Sequence, residues 1–339
     1  LAAPLWPTGN RTGCYAEKSL TPPPGGGRQE TEDIKEGEQA RSAVAEAGRR
    51  TTSRRELSRH PQFDNVSPEV GQLDPGAFAE LLDQDPDEAL ALLADMNGAT
   101  DERLRKLSQQ LAGRVVVDLA KKGATPKRGI GRMFVTPASK QSGDIDLDAS
   151  LGPIMLSRAT NTAVRAEDLA VQSWKRSDTA LCLLVDRSGS MFGERLAAAA
   201  VAAAAVVYRC GADCSVIAFA EDAIVIKAQQ EQRSPEQVVS DLLRLRGFGV
   251  TNLALAMRAA SQQLARSAAA RQITLALSDC RATTGGDAVG DASALSELVI
   301  LAPAEDTEDA RALADHLGIR CAPLAGPSTV AEALATVLR

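Results

Sequence analysis

Asp186, Ser188 and Ser190 lie together in the stretch Asp186-Arg187-Ser188-Gly189-Ser190, between an apolar run at 180–185 and an alanine-rich segment from Glu194. A carboxylate and two hydroxyls where a buried strand turns into a helix make a compact set of hard oxygen ligands, the donors that Mg²⁺ or Mn²⁺ requires. The same residue types also cap helices, so the stretch by itself leaves both readings open. Two further residues fall in comparable places: Thr251 in Gly249-Val250-Thr251-Asn252, just before a helical pattern, and Asp279, just after the apolar run 273–278. Their separation in the chain is what a site assembled from three loops would show.

Positioning such loops needs a frame of strands. After Asp178 short apolar runs alternate with helical patterns. Strands are expected at 180–185, 214–219, 223–227, 273–278, 298–301 and 319–323, and helices at 194–210, 235–244, 252–267, 307–317 and 329–338. Continuous apolar strands alternating with helices predict an α/β, Rossmann-like doubly wound, mostly parallel sheet covered on both faces. The strand at 223–227, close behind its predecessor, is the expected antiparallel edge. In such a sheet ligands bind at the carboxyl ends of the strands, near the topological switch point.

Upstream the composition changes twice. Residues 1–72, with Pro22-Pro23-Pro24-Gly25-Gly26-Gly27 and mixed charges, carry few large apolar side chains and read as a disordered linker, with a short helix expected near 36–47. Residues 73–176 read as a small helical domain with a short connecting strand. Its helices are expected at 75–83, 86–95 and 100–122, with Asp74, Asp85 and Thr100 as N-caps. Gly143-Asp144-Ile145-Asp146-Leu147-Asp148 opens like a calcium loop but has Ala149 and Met155 where that loop needs Gly and Glu. Its alternation predicts an edge strand instead. The remaining unit spans 177–339.

Bulk properties narrow the classes. The formal net charge of −6 and the near absence of aromatics in the basic stretch 103–140 speak against a nucleic-acid binder; that stretch reads as a solvated face. The longest apolar run, 196–208, is too short to span a bilayer, and no signal peptide is evident. Because the chain begins with Leu1, a further domain upstream is an open expectation. The scattered cysteines predict a reducing, cytoplasmic setting. Cys210 and Cys214 could form half of a zinc site, but no second pair accompanies them. An enzyme is not expected: G-x-S-x-G and G-x-x-x-x-G-K-[ST] motifs are absent, and His60 and His316 fall in the expected linker and on a C-terminal helix. Asp186 also lacks the carboxylate two residues on that a phosphotransferase nucleophile normally has.

Taken together, Asp-x-Ser-x-Ser, the loop Thr251 and Asp279 resemble the von Willebrand factor type A (VWA) domain and its metal-ion-dependent adhesion site. The likeness covers about 177–339, with one departure at Cys280, where many members have Gly. Residues 143–148, 167–174, 186–191, Leu245-Arg246-Gly247 and 277–281 are further similar to bacterial magnesium-chelatase-subunit-like or CoxE-like proteins, which are associated with AAA+ ATPases of the MoxR or chelatase type. The N-terminal stretch is similar to the linker preceding this domain in magnesium chelatase D subunits. The resemblance implies a Mg²⁺ (or Mn²⁺) held by Asp186, Ser188, Ser190, Thr251 and Asp279, with the serines in direct contact. It also implies a non-enzymatic adaptor between an AAA+ ATPase and a client protein that offers an acidic residue, serving metal insertion or protein maturation. The alternative it leaves is the C-terminal part of a chelatase D-type subunit acting within an enzyme complex.

Overall fold

The computed structural model describes residues 33–123, 133–137, 144–160, 162–165, 168–174, 179–187, 193–245 and 249–337. In chain order the first elements are β1 (Ile34–Lys35), α1 (Glu38–Ala47), α2 (Arg54–Leu57), α3 (Phe63–Val66), α4 (Pro75–Gln84), α5 (Pro86–Met96) and α6 (Glu102–Gly123). Then come β2 (Met133–Pro137), β3 (Asp144–Ile145), α7 (Leu147–Thr160), β4 (Ala170–Trp174), β5 (Thr179–Asp186), α8 (Glu194–Cys210), β6 (Cys214–Phe219) and β7 (Ala223–Lys227). The chain ends with α9 (Pro235–Arg244), α10 (Leu253–Leu264), β8 (Arg271–Leu277), α11 (Ala288–Ser293), β9 (Leu298–Pro303), α12 (Glu308–Leu317), β10 (Arg320–Leu324) and α13 (Val330–Val337).

Among the described residues the main sheet has the order β1-β7-β6-β5-β8-β9-β10, parallel except for the β6–β7 pair. The first strand of the α/β unit, β5, is therefore central, with later strands added on either side, and its carboxyl end is the switch point. Both faces of β5 are buried, and its side chains divide by parity. Leu181, Leu183 and Val185 join the cluster beneath α8, whereas Ala180, Cys182 and Leu184 join the cluster beneath α10. That is why the run is continuously apolar rather than alternating.

The alanine content of α8 has a packing reason. This helix contacts β5 and β6 on one side and α5, α6, α9 and α13 on the others. Ala199, Ala200 and Ala202 through Ala205 are fully enclosed. A helix buried all round, with neighbours at close range, has room for methyl groups and little more.

The expected linker is overturned over residues 33–72. Strand β1 extends the sheet beyond β7 in parallel, so β7 is antiparallel to β6 as expected but is not the edge. Helices α1 to α3 bury Ala40, Val44, Leu57, Phe63 and Val66. These few apolar residues are too sparse for a core of their own, but they complete the one that surrounds α8. Arg54 stacks over Phe63 at 4.9 Å and donates to the Ser67 carbonyl, which ties the short helices together. Helices α4 to α6 join the same apolar cluster, so the helical layer shares its core with one face of the sheet. The part of the expected linker at 1–32 lies outside the described residues.

Two local expectations are also corrected. Helix α6 starts one turn position later than Thr100 would set it: the Asp101 carboxylate accepts from the Leu104 N–H, while Thr100 bonds Thr51 and Thr52. Among the described residues of the alternating segment 143–148, only Asp144–Ile145 form a strand. There Asp146 accepts from the Ala149 N–H at 3.0 Å and starts α7, capping having prevailed over alternation. The small sheet β2-β4-β3 carries this helix through Ser150, whose hydroxyl bonds both the N–H and the C=O of Ala170.

Candidate functional site

Asp186 is the last residue of β5, beside Phe219 at the end of β6 and one position past the Val185–Leu277 pair that closes the β5–β8 ladder. The residue that follows the neighbouring strand β8 is Ser278, whose hydroxyl donates to Asp186 Oδ2 at 2.6 Å. Asp186 is only 3% exposed. A carboxylate so enclosed persists only with polar partners or a cation. Asp279 follows Ser278 and is 9% exposed. One of its oxygens accepts from the Arg281 N–H at 3.0 Å, and the other lies 3.8 Å from Arg195 on the first turn of α8.

Cys280 occupies the left-handed region with φ 59°, a conformation glycine adopts without steric cost. Its N–H donates to Ser278 Oγ at 2.8 Å. Ser278 thus holds Asp186 with its proton and the Cys280 turn with its lone pair. Burial pushes the Cys280 thiol up to about 12, so at neutral pH it packs as a small apolar group.

Thr251 is 3% exposed and stands just before α10. Its N–H donates to Thr283 Oγ1 at 2.8 Å, and its carbonyl accepts from the Thr283 and Thr284 N–H groups. Asn252 donates from its backbone to the Ala220 carbonyl, just past β6, and caps α10 with its side chain. Gly285 sits at φ 111°, and a Cβ there would collide with the Asn252 amide. The Thr251 loop is thereby fastened to the chain that follows Asp279.

Asp186 and Asp279 line one cavity of about 90 Å³ together with Glu194, Arg195, Ser278 and Glu305. Its floor is apolar, from Leu277, Leu301 and Leu324. Partial burial, followed by the nearby carboxylates of Asp87, Glu305, Glu88 and Asp85, raises the pKa of Glu194 above the ordinary carboxylate value. Arg195 also lies 3.9 Å from Asp306, which Arg281 bonds at 3.0 Å.

Of the five sequence-predicted ligands, the structure gathers Asp186 and Asp279 on one cavity and ties Thr251 to the adjoining loop. Ser188 and Ser190 lie outside the described residues. Among the described residues no three His, Cys, Asp or Glu side chains are grouped as a metal set. A cation here would rest on hydroxyls as much as on carboxylates, and such donors suit Mg²⁺ better than zinc. Ser278 and Arg195 were not singled out from the sequence; the signals for Ser278 were its place at the end of the run 273–278, next to Asp279, and within the stretch 277–281 that carries the CoxE-like resemblance.

His60 is not in a linker: its ring nitrogens meet Glu88 at 3.0 Å and Asp95 at 2.9 Å. His316 is exposed on α12. The described cysteines, Cys182, Cys210, Cys214, Cys280 and Cys321, are free thiols. Among the described residues no helix is long and apolar enough to cross a membrane.

The family model described as VWA domain containing CoxE-like protein matches residues 119–316. No curated protein matches the chain. Among solved structures, a von Willebrand factor type A protein from Catenulispora acidiphila is 18% identical, over 50% of this chain and 43% of that one, with a TM-score of 0.39. An aerotolerance-related membrane protein from Bacteroides fragilis is 16% identical, over 47% of this chain and 96% of that one, with a TM-score of 0.38. The chain thus spans less than half the length of the first of these.

Proposed function

Because the chain belongs to the family of VWA domain containing CoxE-like proteins, we propose that it is a Mg²⁺-dependent protein-interaction subunit rather than an enzyme. Its proposed partners are an AAA+ ATPase of the MoxR or chelatase type and a client that presents an acidic side chain. The observation that carries this reading is the Asp186 carboxylate, enclosed at the switch point of the sheet beside Ser278 and Asp279. Held by Asp186, Ser188, Ser190, Thr251 and Asp279, Mg²⁺ would supply an open coordination position for a partner carboxylate.

This chain's own residues set the terms of that contact. Ser278 fixes the orientation of Asp186, as outer partners of ligating carboxylates do. Arg195 partly neutralises Asp279, which limits the negative charge that would otherwise repel an acidic partner. The free thiols among the described residues suit a reducing compartment, and the cytoplasm is the setting we propose.

The test is capture of a MoxR-type ATPase by the full chain, with Mg²⁺ or with EDTA, for wild type, Asp186→Ala and Asp279→Asn. Capture should need Mg²⁺ and fail in both variants. Equal capture in every arm would refute metal dependence.

A further inference from the structure

Helix α7 is anchored on one side and uncovered along one face. Ser150 is buried on the Ala170 backbone, yet Leu147 is 71%, Leu151 57% and Met155 62% exposed. These three are spaced four apart, so they form a single stripe on one face of the helix. Leu156 and the neighbouring Ile145 and Val164 extend the exposed apolar surface. Scattered exposed leucines need no explanation, but a contiguous stripe marks an interaction surface.

The residues that flank the stripe indicate what covers it. Asp148 and Arg158 are the charged residues of α7. Both are exposed, and neither forms an ion pair with another described residue. A two-fold axis through Pro153 would lay α7 antiparallel on a second copy of itself. Asp148 of each copy would then lie level with Arg158 of the other, five residues either side of the axis, and Leu151 level with Met155, two residues either side. Charge and apolar stripe both become complementary under one operation, as an isologous interface demands.

We propose that α7 is a self-association surface through which two copies of this chain pair antiparallel. The inference is independent of the metal site. One pair of 14-residue helices is a small interface, so the dimer is weak, with a dissociation constant on the order of micromolar to tens of micromolar.

Sedimentation velocity of the full chain over a concentration series tests this. Wild type should pass from monomer to dimer as concentration rises towards about 100 µM. Leu151→Glu should remain monomeric, with unchanged circular dichroism because the position is exposed. Asp148→Arg and Arg158→Asp should each weaken the dimer about tenfold, and the double swap should restore it. A wild type that stays monomeric would overturn the proposal and leave the stripe to a different protein. A dimer indifferent to Leu151→Glu would overturn it too, and failure of the double swap to restore pairing would overturn the antiparallel arrangement.

Discussion

Replacing His60 with Gln tests whether the helical layer is held by a charged histidine. The ring lies between Glu88 and Asp95, at 3.0 and 2.9 Å, with all three side chains about four-fifths covered. The Asp95 hydrogen bond is the main cause that raises the His60 pKa above 6.5, burial opposes it, and the Glu88 bond adds to it. A raised pKa in the folded state means that protonation favours folding. The stabilisation is complete below the unfolded value near 6.5 and is lost as pH rises through the folded value. Protonated, the ring donates twice to carboxylates; neutral, it donates once. A charge-assisted bond contributes about 1.5–3 kcal/mol when well buried, and partial exposure reduces two of them to about 2 kcal/mol in all. Urea unfolding should therefore find His60→Gln less stable than wild type by about 2 kcal/mol at pH 6 and by under about 1 kcal/mol at pH 9. An equal difference at the two pH values would refute the charged clamp and leave His60 as packing alone.

Two further outcomes follow from packing. Ala203→Leu puts three extra carbon atoms into the enclosed middle of α8 and should cost about 3 kcal/mol, visible as a thermal midpoint lowered by several degrees; an unchanged midpoint would show that the layers on α8 can part freely. Lys227 is fully buried at the end of β7, with its ammonium on the carbonyls of Ala212, Cys214 and Ala228. Lys227→Met strands three acceptors and should destabilise by about 2–4 kcal/mol after allowing for the relieved charge burial; denaturant midpoints at or above wild type would contradict that balance.

How much the sequence disclosed depended on whether a residue's role was local. Strands β5 to β9 and helices α8, α9, α10 and α12 were legible because each buries its own run or stripe, whereas the six-residue α11 is too short to show one. The places of Asp186 and Asp279 after strands, and of Thr251 before a helix, were legible because element ends are recognisable without knowing the pairing. Ser278 was not, since its bond to Asp186 exists only in the β5–β8 register. Strand β1, two residues long, carries no pattern at all, and its pairing with β7 is wholly tertiary. Helix α1 was expected as a short helix near 36–47, but α2 and α3 were mistaken for linker because composition counts apolar residues without asking whose core they complete. The stripe on α7 was hidden for the opposite reason: Asp146, read as one acid of an alternating strand, is the cap that starts the helix.

The core shared across α8 also bears on how partners act. Helix α5 holds the site from two sides. Its Asp95 accepts from the N–H of Gly193, which at φ 53° turns the chain into α8. Its Asp87 accepts from the N–H of Ser328 at 2.8 Å, and Gly326, packed against that carboxylate, lines the cavity that contains Asp186 and Asp279. Sliding α5 relative to the sheet would break both bonds together, at about 1–2 kcal/mol each for part-buried carboxylate acceptors. A protein that grips α4 or α5 and one that engages the cavity therefore pull on the same helix. For the two to act independently α5 would have to yield, and the fully enclosed Leu92 and Met96 beneath it leave little room to do so.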